Sequence, residues 1–313
     1  MSLKKIINSH LFTPPARHIN TLQAYRMNRN TNFLFTDSKV PIYQLNFHCT
    51  TKNKSVDKNL HINIIYFHGN SSDVYSTTDQ LNILGESLIK QISNTENINF
   101  SNVYISIISY EYPGYFSTGG PFDVQISSIN KNLIGDWCEH IASDFNNKNA
   151  LNALNSTYYN ILYGYSIGCG FATITMKHVI QNLDLVLLEA PFSSVYNVAK
   201  EKTTESCLGS LLLSFWSNND HEYFNNVKNI GKIPNESRRF KIFVIMGMDD
   251  EWCGGIIHQN EFVKLLDEGK IDTIHMTRNN HYQFLETNSI LFTSDVIYKN
   301  IFKNNENNKI HKF

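Results

Sequence analysis

Ser166 lies between two glycines, Gly164 and Gly168, in the order G-x-S-x-G. A serine hydroxyl is a weak nucleophile unless a neighbouring base removes its proton. Where this pattern serves catalysis, the glycines allow a sharp turn between a strand and a helix, and the turn exposes the serine. Because five residues can match by chance, the pattern is informative only if a strand precedes it and a helix follows it.

A nucleophilic serine needs a base and an acid, which in this pattern follow in the order serine, carboxylate, histidine. His281 follows the last predicted strand and is the candidate base. Asp249 and Asp250 both follow a predicted apolar strand, and Asp250 is the first choice for the acid. Asp249 remains an alternative, since adjacent residues on an extended chain face opposite ways. Glu189, directly after another strand, is a third candidate.

Two backbone N–H groups must stabilise the oxyanion that forms when a serine attacks an acyl carbonyl. The residue after the nucleophile, Ile167, is expected to supply one of them. The loop after an earlier strand is expected to supply the other, from Asn70. Gly69 would let that loop approach closely, and His68 is expected to brace the loop rather than act as the base.

The remaining histidines of interest are expected to be ordinary packed or surface residues. They are His178 in the helix after Ser166, His221 in a predicted cap, His258 at a helix start and His275 within the last strand. None of them follows a strand in the position that the serine–carboxylate–histidine order requires.

Short apolar runs alternate with segments of helical periodicity along the chain. The predicted strands are 41–47, 62–67, 103–109, 160–163, 185–188, 241–246 and 273–276. The predicted helices are 79–92, 124–141, 168–180, 259–266 and 289–302. This order indicates an α/β fold with a mostly parallel sheet and helices on both faces. Ligands bind at the carboxyl ends of such strands, where every candidate residue falls.

Residues 193–240 interrupt the alternation, within what is otherwise predicted to be a single domain spanning 1–313. They contain the apolar stretch Cys207–Trp216. An insertion between two late strands is typical of a small helical cap over the site, and a buried core helix is the alternative interpretation.

Composition excludes several classes of protein. The chain has 313 residues, 42% of them apolar, and a net charge of −1, which argues against a nucleic-acid binder held by phosphate neutralisation. Its five cysteines form no CxxC pair, so free thiols in a reducing compartment are expected. The N-terminal apolar run is too short for a signal peptide, and no stretch reaches the roughly 18 apolar residues of a membrane span.

The sequence resembles the α/β-hydrolases of the ABHD type, in the branch of the protein depalmitoylases and their lysophospholipase-like relatives. The matching stretches are FTPP (12–15), YFHGNSSDV (66–74), IISYEYPGYFSTGGP (107–121), LYGYSIGCGFA (162–172), LLEAPFSS (187–194), VIMGMDDEW (244–252) and NNHYQFLE (279–286). The resemblance implies the α/β-hydrolase fold, Ser166, Asp250 and His281 as the triad, and Asn70 and Ile167 as the oxyanion hole. Its G-x-x-D spacing from Gly247 favours Asp250 over Asp249.

The sequence departs from that family at two points. A glycine of the family's Y-x-G-Y-G loop is replaced by Phe116, next to the expected pocket. The depalmitoylases carry acylated cysteines near the N-terminus, whereas residues 1–12 contain no cysteine. That membrane anchor is therefore expected to be missing.

The resemblance implies a serine hydrolase that cleaves a fatty-acyl ester or thioester through an acyl-serine, with protein depalmitoylation as one form. A monoacylglycerol or lysophospholipid lipase is the alternative, and a non-catalytic scaffold is a further one. We expect an acylated protein or lysolipid as the partner, no nucleic acid, no metal and no organic cofactor. We expect a cytoplasmic location, with transient contact to a membrane surface through the cap.

Overall fold

The computed structural model describes most of the chain, including every predicted strand. The described residues are 12–14, 33–52, 57–96, 98–116, 118–149, 155–203 and 224–302. Eight strands form one sheet: β1 (Phe33–Phe35), β2 (Pro41–Thr50), β3 (Asn59–Phe67), β4 (Asn102–Tyr110), β5 (Ser156–Tyr165), β6 (Leu185–Glu189), β7 (Lys241–Gly247) and β8 (Thr273–Thr277). Each apolar run predicted as a strand is a strand, and the short β1 is an addition to the prediction.

The sheet is mostly parallel, as predicted. Its strand order is β1-β2-β4-β3-β5-β6-β7-β8. β2 runs antiparallel to its neighbours β1 and β4, and the remaining neighbours are parallel. From β3 the chain first adds β4 on one side and then β5 on the other. This reversal opens a crevice at the carboxyl ends of β3 and β5, where ligands bind in folds of this kind.

Seven α-helices are described. They are α1 (Thr78–Asn94), α2 (Lys131–Asn149), α3 (Ile167–Val179), α4 (Val195–Thr203), α5 (Asn226–Gly231), α6 (Ile256–Asp267) and α7 (Thr287–Phe302). The helix predicted over 124–141 was wrong at its start. Asn130 caps α2, because its Oδ1 accepts the N–H groups of Asn132 and Leu133 at 3.0 and 3.1 Å, and an Asn in this role begins a helix.

Buried side chains cover both faces of the sheet. On one face Trp137 of α2, Phe171 of α3 and Phe262 of α6 belong to a continuous apolar cluster. On the other face Leu88 of α1 and Ile297 of α7 belong to a second cluster. Burying each such side chain contributes about 1.5–3 kcal/mol, so helices on both sides hold the sheet as predicted.

Some predictions fall on residues outside the described ranges. Residues 204–223, including the apolar stretch Cys207–Trp216 and His221, are among them. The cap over 193–240 and the single-domain interpretation therefore stay predictions. Within the described residues, four of the five cysteines are free thiols, and no helix has both the length and the apolarity needed to cross a membrane.

Candidate active site

Ser166 occupies a strained turn between β5 and α3. Its backbone has φ 54° and ψ −119°, a region that side-chain-bearing residues rarely adopt and that persists only where the surroundings enforce it. A Cβ on Gly168 would lie 2.0 Å from the carbonyl oxygen of Phe67, and one on Gly164 would lie 2.7 Å from that of Gly168. The two glycines of the motif are therefore required by contact, as the sequence predicted.

The hydroxyl of Ser166 meets the ring of His281. The distance from Oγ to Nε2 is 2.9 Å, which is a hydrogen bond. His281 follows β8 and is held by Tyr165, whose hydroxyl donates to the carbonyl oxygen of His281 at 2.6 Å. Tyr165, which directly precedes Ser166, thus fixes the backbone of His281, although Tyr165 and His281 lie 116 residues apart in sequence.

Asp250 holds the other nitrogen of the ring. Nδ1 of His281 lies 2.9 and 3.0 Å from the two carboxylate oxygens. Oδ1 of Asp250 also accepts the N–H groups of Trp252 and Cys253, at 2.8 and 2.9 Å. Charge-assisted bonds of this kind fix a buried carboxylate in one orientation. The carboxylate is therefore placed to orient the imidazole and to stabilise its charged form.

Gly247 allows the two segments to meet. A Cβ at this position would lie 2.2 Å from the carbonyl oxygen of Asn279 and 3.1 Å from Cβ of Asp250. The end of β7 and the loop that carries His281 therefore pack with almost no space between them. This contact explains why a glycine precedes the acid by three residues.

The other two candidate acids lie elsewhere. Asp249 is exposed, whereas Asp250 is buried. Glu189 is also buried, but its carboxyl group accepts hydrogen bonds from the hydroxyls of Tyr163 and Thr293. Burial raises the pKa of Glu189 to about 7, because the charged form loses its solvation. Of the three carboxylates, the structure brings Asp250 to His281.

The loop after β3 lies directly beside Ser166. A Cβ on Gly69 would lie 3.8 Å from Cβ of Ser166 and 2.7 Å from the ring of Tyr165. The side chain of Asn70 points to other partners, because its Oδ1 accepts from the N–H of Thr13 and the hydroxyl of Tyr115, both at 2.9 Å. These bonds tie the loop in place beside the nucleophile candidate.

Ile167 is the first residue of α3. The first N–H groups of a helix have no intrahelical acceptor, and they carry the positive end of the helix dipole. The N–H of Ile167 is therefore a suitable donor for a developing negative charge. The roles of Ile167 and Asn70 as an oxyanion hole stay predictions.

Comparisons with known proteins bear on the fold. No family model matches the sequence, and no curated protein does. The esterase Pf2001 of Pyrococcus furiosus superposes with a TM-score of 0.52 at 14% identity, over 87% of this chain and 89% of that one. The peroxisomal α/β-hydrolase Lpx1 of Saccharomyces cerevisiae does so with a TM-score of 0.51 at 11% identity, over 90% and 88%.

The chain has the α/β-hydrolase fold. The mostly parallel sheet, the turn at Ser166 and the similar structures agree on this point. At such low identities the similarity concerns the fold alone, because one fold supports many reactions. The reaction has to be argued from the side chains at the site.

The loop beside Ser166 is braced by a buried polar pair, as expected for His68. Its Nε2 lies 3.1 Å from Oε1 of Glu111, and its ring stacks on Tyr112 at 4.0 Å. Glu111 also accepts the N–H of Val74 at 3.1 Å. His68 is fully buried and therefore serves as a brace. Phe116, where the sequence resemblance predicts a glycine, is buried in the apolar cluster that contains Trp137 and Phe171.

The remaining described histidines do not contact Ser166. His275 stacks on Phe292 at 4.4 Å, and His258 accepts from Ser193. Sequence reasoning missed the support that Tyr165 gives to His281 and the position of Cys253 beside the carboxylate. The D-x-x-C spacing was a signal for the second feature, because a short turn brings residues three apart together.

Proposed function

We propose that the protein is a serine hydrolase that cleaves a carboxylic ester or thioester through an acyl-serine intermediate. One observation carries the proposal: Ser166, His281 and Asp250 form a continuous hydrogen-bonded chain, with 2.9 Å from serine to histidine and 2.9 Å from histidine to aspartate. This is the arrangement that activates a serine for acyl transfer.

In the proposed reaction, Oγ of Ser166 attacks the acyl carbonyl while Nε2 of His281 takes its proton. Asp250 stabilises the imidazolium that results. The N–H groups of Asn70 and Ile167 hold the oxyanion. The proton then passes to the leaving alcohol or thiol, which departs and leaves an acyl-serine. Water enters, repeats the sequence and releases the acid.

A fatty-acyl group is the proposed acyl part of the substrate. The sequence resemblance to depalmitoylases and lysophospholipases supports this choice, as does the apolar stretch in the predicted cap. The rim of the site adds a further argument. Large apolar side chains beside Asp250 and His281 are exposed, including Trp252 at 43% and Tyr282 at 66%. Exposed apolar groups beside a site suit a lipid-like substrate or a membrane surface.

The proposed substrates are of two kinds, an acylated protein and a lysolipid or monoacylglycerol. The apolar rim would let the protein touch a membrane transiently and reach either substrate from the cytoplasm. Neither a metal nor an organic cofactor is needed for this chemistry, since the triad supplies both proton transfer and charge stabilisation.

Turnover assays can separate these substrates. Purified protein is incubated with a palmitoylated peptide thioester and, separately, with lysophosphatidylcholine and a monoacylglycerol. We expect hydrolysis of at least one of them by the wild type and none by Ser166→Ala. Thioester cleavage alone would support depalmitoylation, and lysolipid cleavage alone would support the lipase. A folded wild type that hydrolyses none of them, nor a short-chain p-nitrophenyl ester, would favour the scaffold.

A further inference from the structure

Cys253 is a buried thiol beside the triad that the proposed reaction does not use. One ligand atom each from Asp250, Cys253 and His281 lies within 4.8 Å of the others, and all three residues are buried. Carboxylate oxygen, thiolate sulfur and imidazole nitrogen together form a donor set that suits Zn²⁺.

The turn that carries two of these donors is already fixed. The N–H of Cys253 donates to Oδ1 of Asp250, and the N–H of Gly254 donates to the carbonyl oxygen of Asp250, both at 2.9 Å. A Cβ on Gly254 would lie 2.3 Å from the carbonyl oxygen of Gly247. The glycine therefore lets the turn fold tightly onto the end of β7. Two ligands three residues apart on a rigid turn need little ordering to bind a cation.

The distances and charges also suit a divalent cation. Bond lengths of about 2.0–2.3 Å place tetrahedral ligand atoms about 3.5 Å apart. The widest separation among the three groups, at most 4.8 Å, would close by roughly 1 Å, and Nδ1 of His281, 2.9 Å from the carboxylate of Asp250, would move apart by about 0.5 Å. An ionised carboxylate, a thiolate and a neutral imidazole around Zn²⁺ give no net charge, which lowers the desolvation penalty of a buried site. A water molecule would supply the fourth ligand.

We propose that Zn²⁺ binds between Asp250, Cys253 and His281 and reversibly inhibits the enzyme. The inhibitory consequence rests on the proposed hydrolase function, whereas the binding does not. Nδ1 of His281 coordinates the zinc ion, and the proton that Nδ1 carried moves to Nε2. The thiol proton of Cys253 leaves to solvent, and no electrons are transferred. Nε2 then carries a proton and cannot accept the one from Ser166.

Cobalt provides a readout that is independent of activity. Co²⁺ bound to a thiolate shows a sulfur-to-cobalt charge-transfer band in the near ultraviolet, and tetrahedral sites add intense visible bands. Metal-free full-length protein is titrated with CoCl₂. We expect both bands in the wild type and in the control Cys49→Ser, which removes a half-buried thiol from β2. We expect the charge-transfer band to be absent from Cys253→Ser and Cys253→Ala.

Inhibition is measured on the same preparations with ZnCl₂ and a p-nitrophenyl ester. We expect wild type and Cys49→Ser to be inhibited and then restored by EDTA. Each inhibited rate is divided by the uninhibited rate of the same variant. Cys253→Ser should need about tenfold or more zinc for the same fractional inhibition, since a ligand is lost.

Three outcomes would overturn the zinc site: no charge-transfer band in the wild type, an unchanged band in folded Cys253 variants, or equal zinc inhibition in wild type and Cys253→Ser. If the cysteine variants do not fold, His281→Ala replaces them, and persistence of the visible tetrahedral bands in that variant would also overturn it. A cobalt band in a wild type that has no esterase activity would support the metal site and contradict the proposed function.

Discussion

Among the residues that the structure describes, two clusters combine a serine, a histidine and a carboxylate. In the first, Oγ of Ser166 lies at Nε2 of His281 and Asp250 lies at Nδ1. In the second, Ser193 lies at Nδ1 of His258, with 2.8 Å from its Oγ and 3.0 Å from its N–H. The residue types are nearly the same, but the ring of the second cluster faces the serine with its other nitrogen.

The second cluster is arranged for packing. Nδ1 of His258 accepts the backbone N–H of Ser193, so this nitrogen carries no proton. Oγ of Ser193 is further occupied by Asn197, whose Nδ2 donates to it at 2.8 Å. Nε2 of His258 lies 3.4 Å from Oε2 of Glu201 without a hydrogen bond to any described residue. Burial lowers the pKa of His258, because the charged ring would lose its solvation.

Position in the fold separates the two clusters. Ser166 sits on a strained turn at the carboxyl end of β5 and is 8% exposed, whereas Ser193 is 1% exposed. A substrate can approach a serine at the crevice of the sheet, whereas Ser193 is almost fully covered in the loop before α4. The residue types therefore do not distinguish a candidate nucleophile from a structural hydroxyl. The strained turn does, and so does the ring nitrogen that faces the serine, which is Nε2 at Ser166 and Nδ1 at Ser193.

Replacing each of the two histidines by glutamine should give the largest contrast in activity. We expect His281→Gln to lower kcat by roughly 10⁴-fold or more, because the base is lost. His258→Gln should leave kcat within about tenfold and lower the melting temperature. Steady-state kinetics on a p-nitrophenyl ester and thermal denaturation measure the two effects. Equal losses of activity in both variants would remove the distinction between the clusters.

Neutralising the two carboxylates should give the next largest contrast. Asp250→Asn should lower kcat by about 10⁴-fold, since an amide favours the wrong tautomer of the ring. Glu201→Gln should change kcat less than tenfold, because Glu201 faces the histidine that accepts from Ser193. The fold of both variants is checked by circular dichroism. An Asp250→Asn enzyme with nearly full activity would contradict the assignment of the acid.

Glu189, the third candidate acid, sharpens the comparison through stability. Its pKa of about 7 lies above the ordinary 4.5, so the folded state holds the proton more tightly. The resulting stabilisation is complete below pH 4.5 and is lost as pH rises to 7, by up to about 3 kcal/mol. Glu189→Gln should therefore become progressively more stable than wild type across this range.

Urea denaturation of both proteins at several pH values measures this difference. A difference in unfolding free energy that does not change between pH 4.5 and 7 would contradict the raised pKa. Turnover of Glu189→Gln should stay close to that of wild type, since this carboxyl does not contact His281.

The smallest effect concerns a single hydrogen bond in the second cluster. Asn197→Ala removes the donor to Ser193 and should lower the unfolding free energy by about 1 kcal/mol. Its kcat should equal that of wild type. A marked loss of turnover in this variant would link the second cluster to the reaction and contradict the structural role given to it.

Much of the fold could be predicted because the sheet is parallel and buried on both faces. Strands of this kind are apolar throughout, as in residues 241–246, and their polar neighbours collect at one edge. The motif around Ser166 and the position of His281 after the last strand were then sufficient to predict that these two side chains would meet, while three carboxylates remained candidates for the acid. The predicted start of α2 at residue 124 was wrong, because the helix begins only after Asn130, whose side chain caps it.

Other features depend on packing that the sequence does not reveal. Ser193 and His258 lie 65 residues apart, and no spacing rule joins them. They meet because the loop before α4 packs against the start of α6. The choice between Asp249 and Asp250 likewise depended on which of the two side chains faces inward, and alternation alone cannot decide it.

The most direct test of the central claim is to locate a covalent adduct. The wild type is incubated with a fluorophosphonate, digested and analysed by mass spectrometry. We expect one adduct on Ser166, none on Ser193, and no labelling of Ser166→Ala. A folded protein that is not labelled at all, or that is labelled on Ser193 instead, would contradict the assignment of Ser166 as the nucleophile.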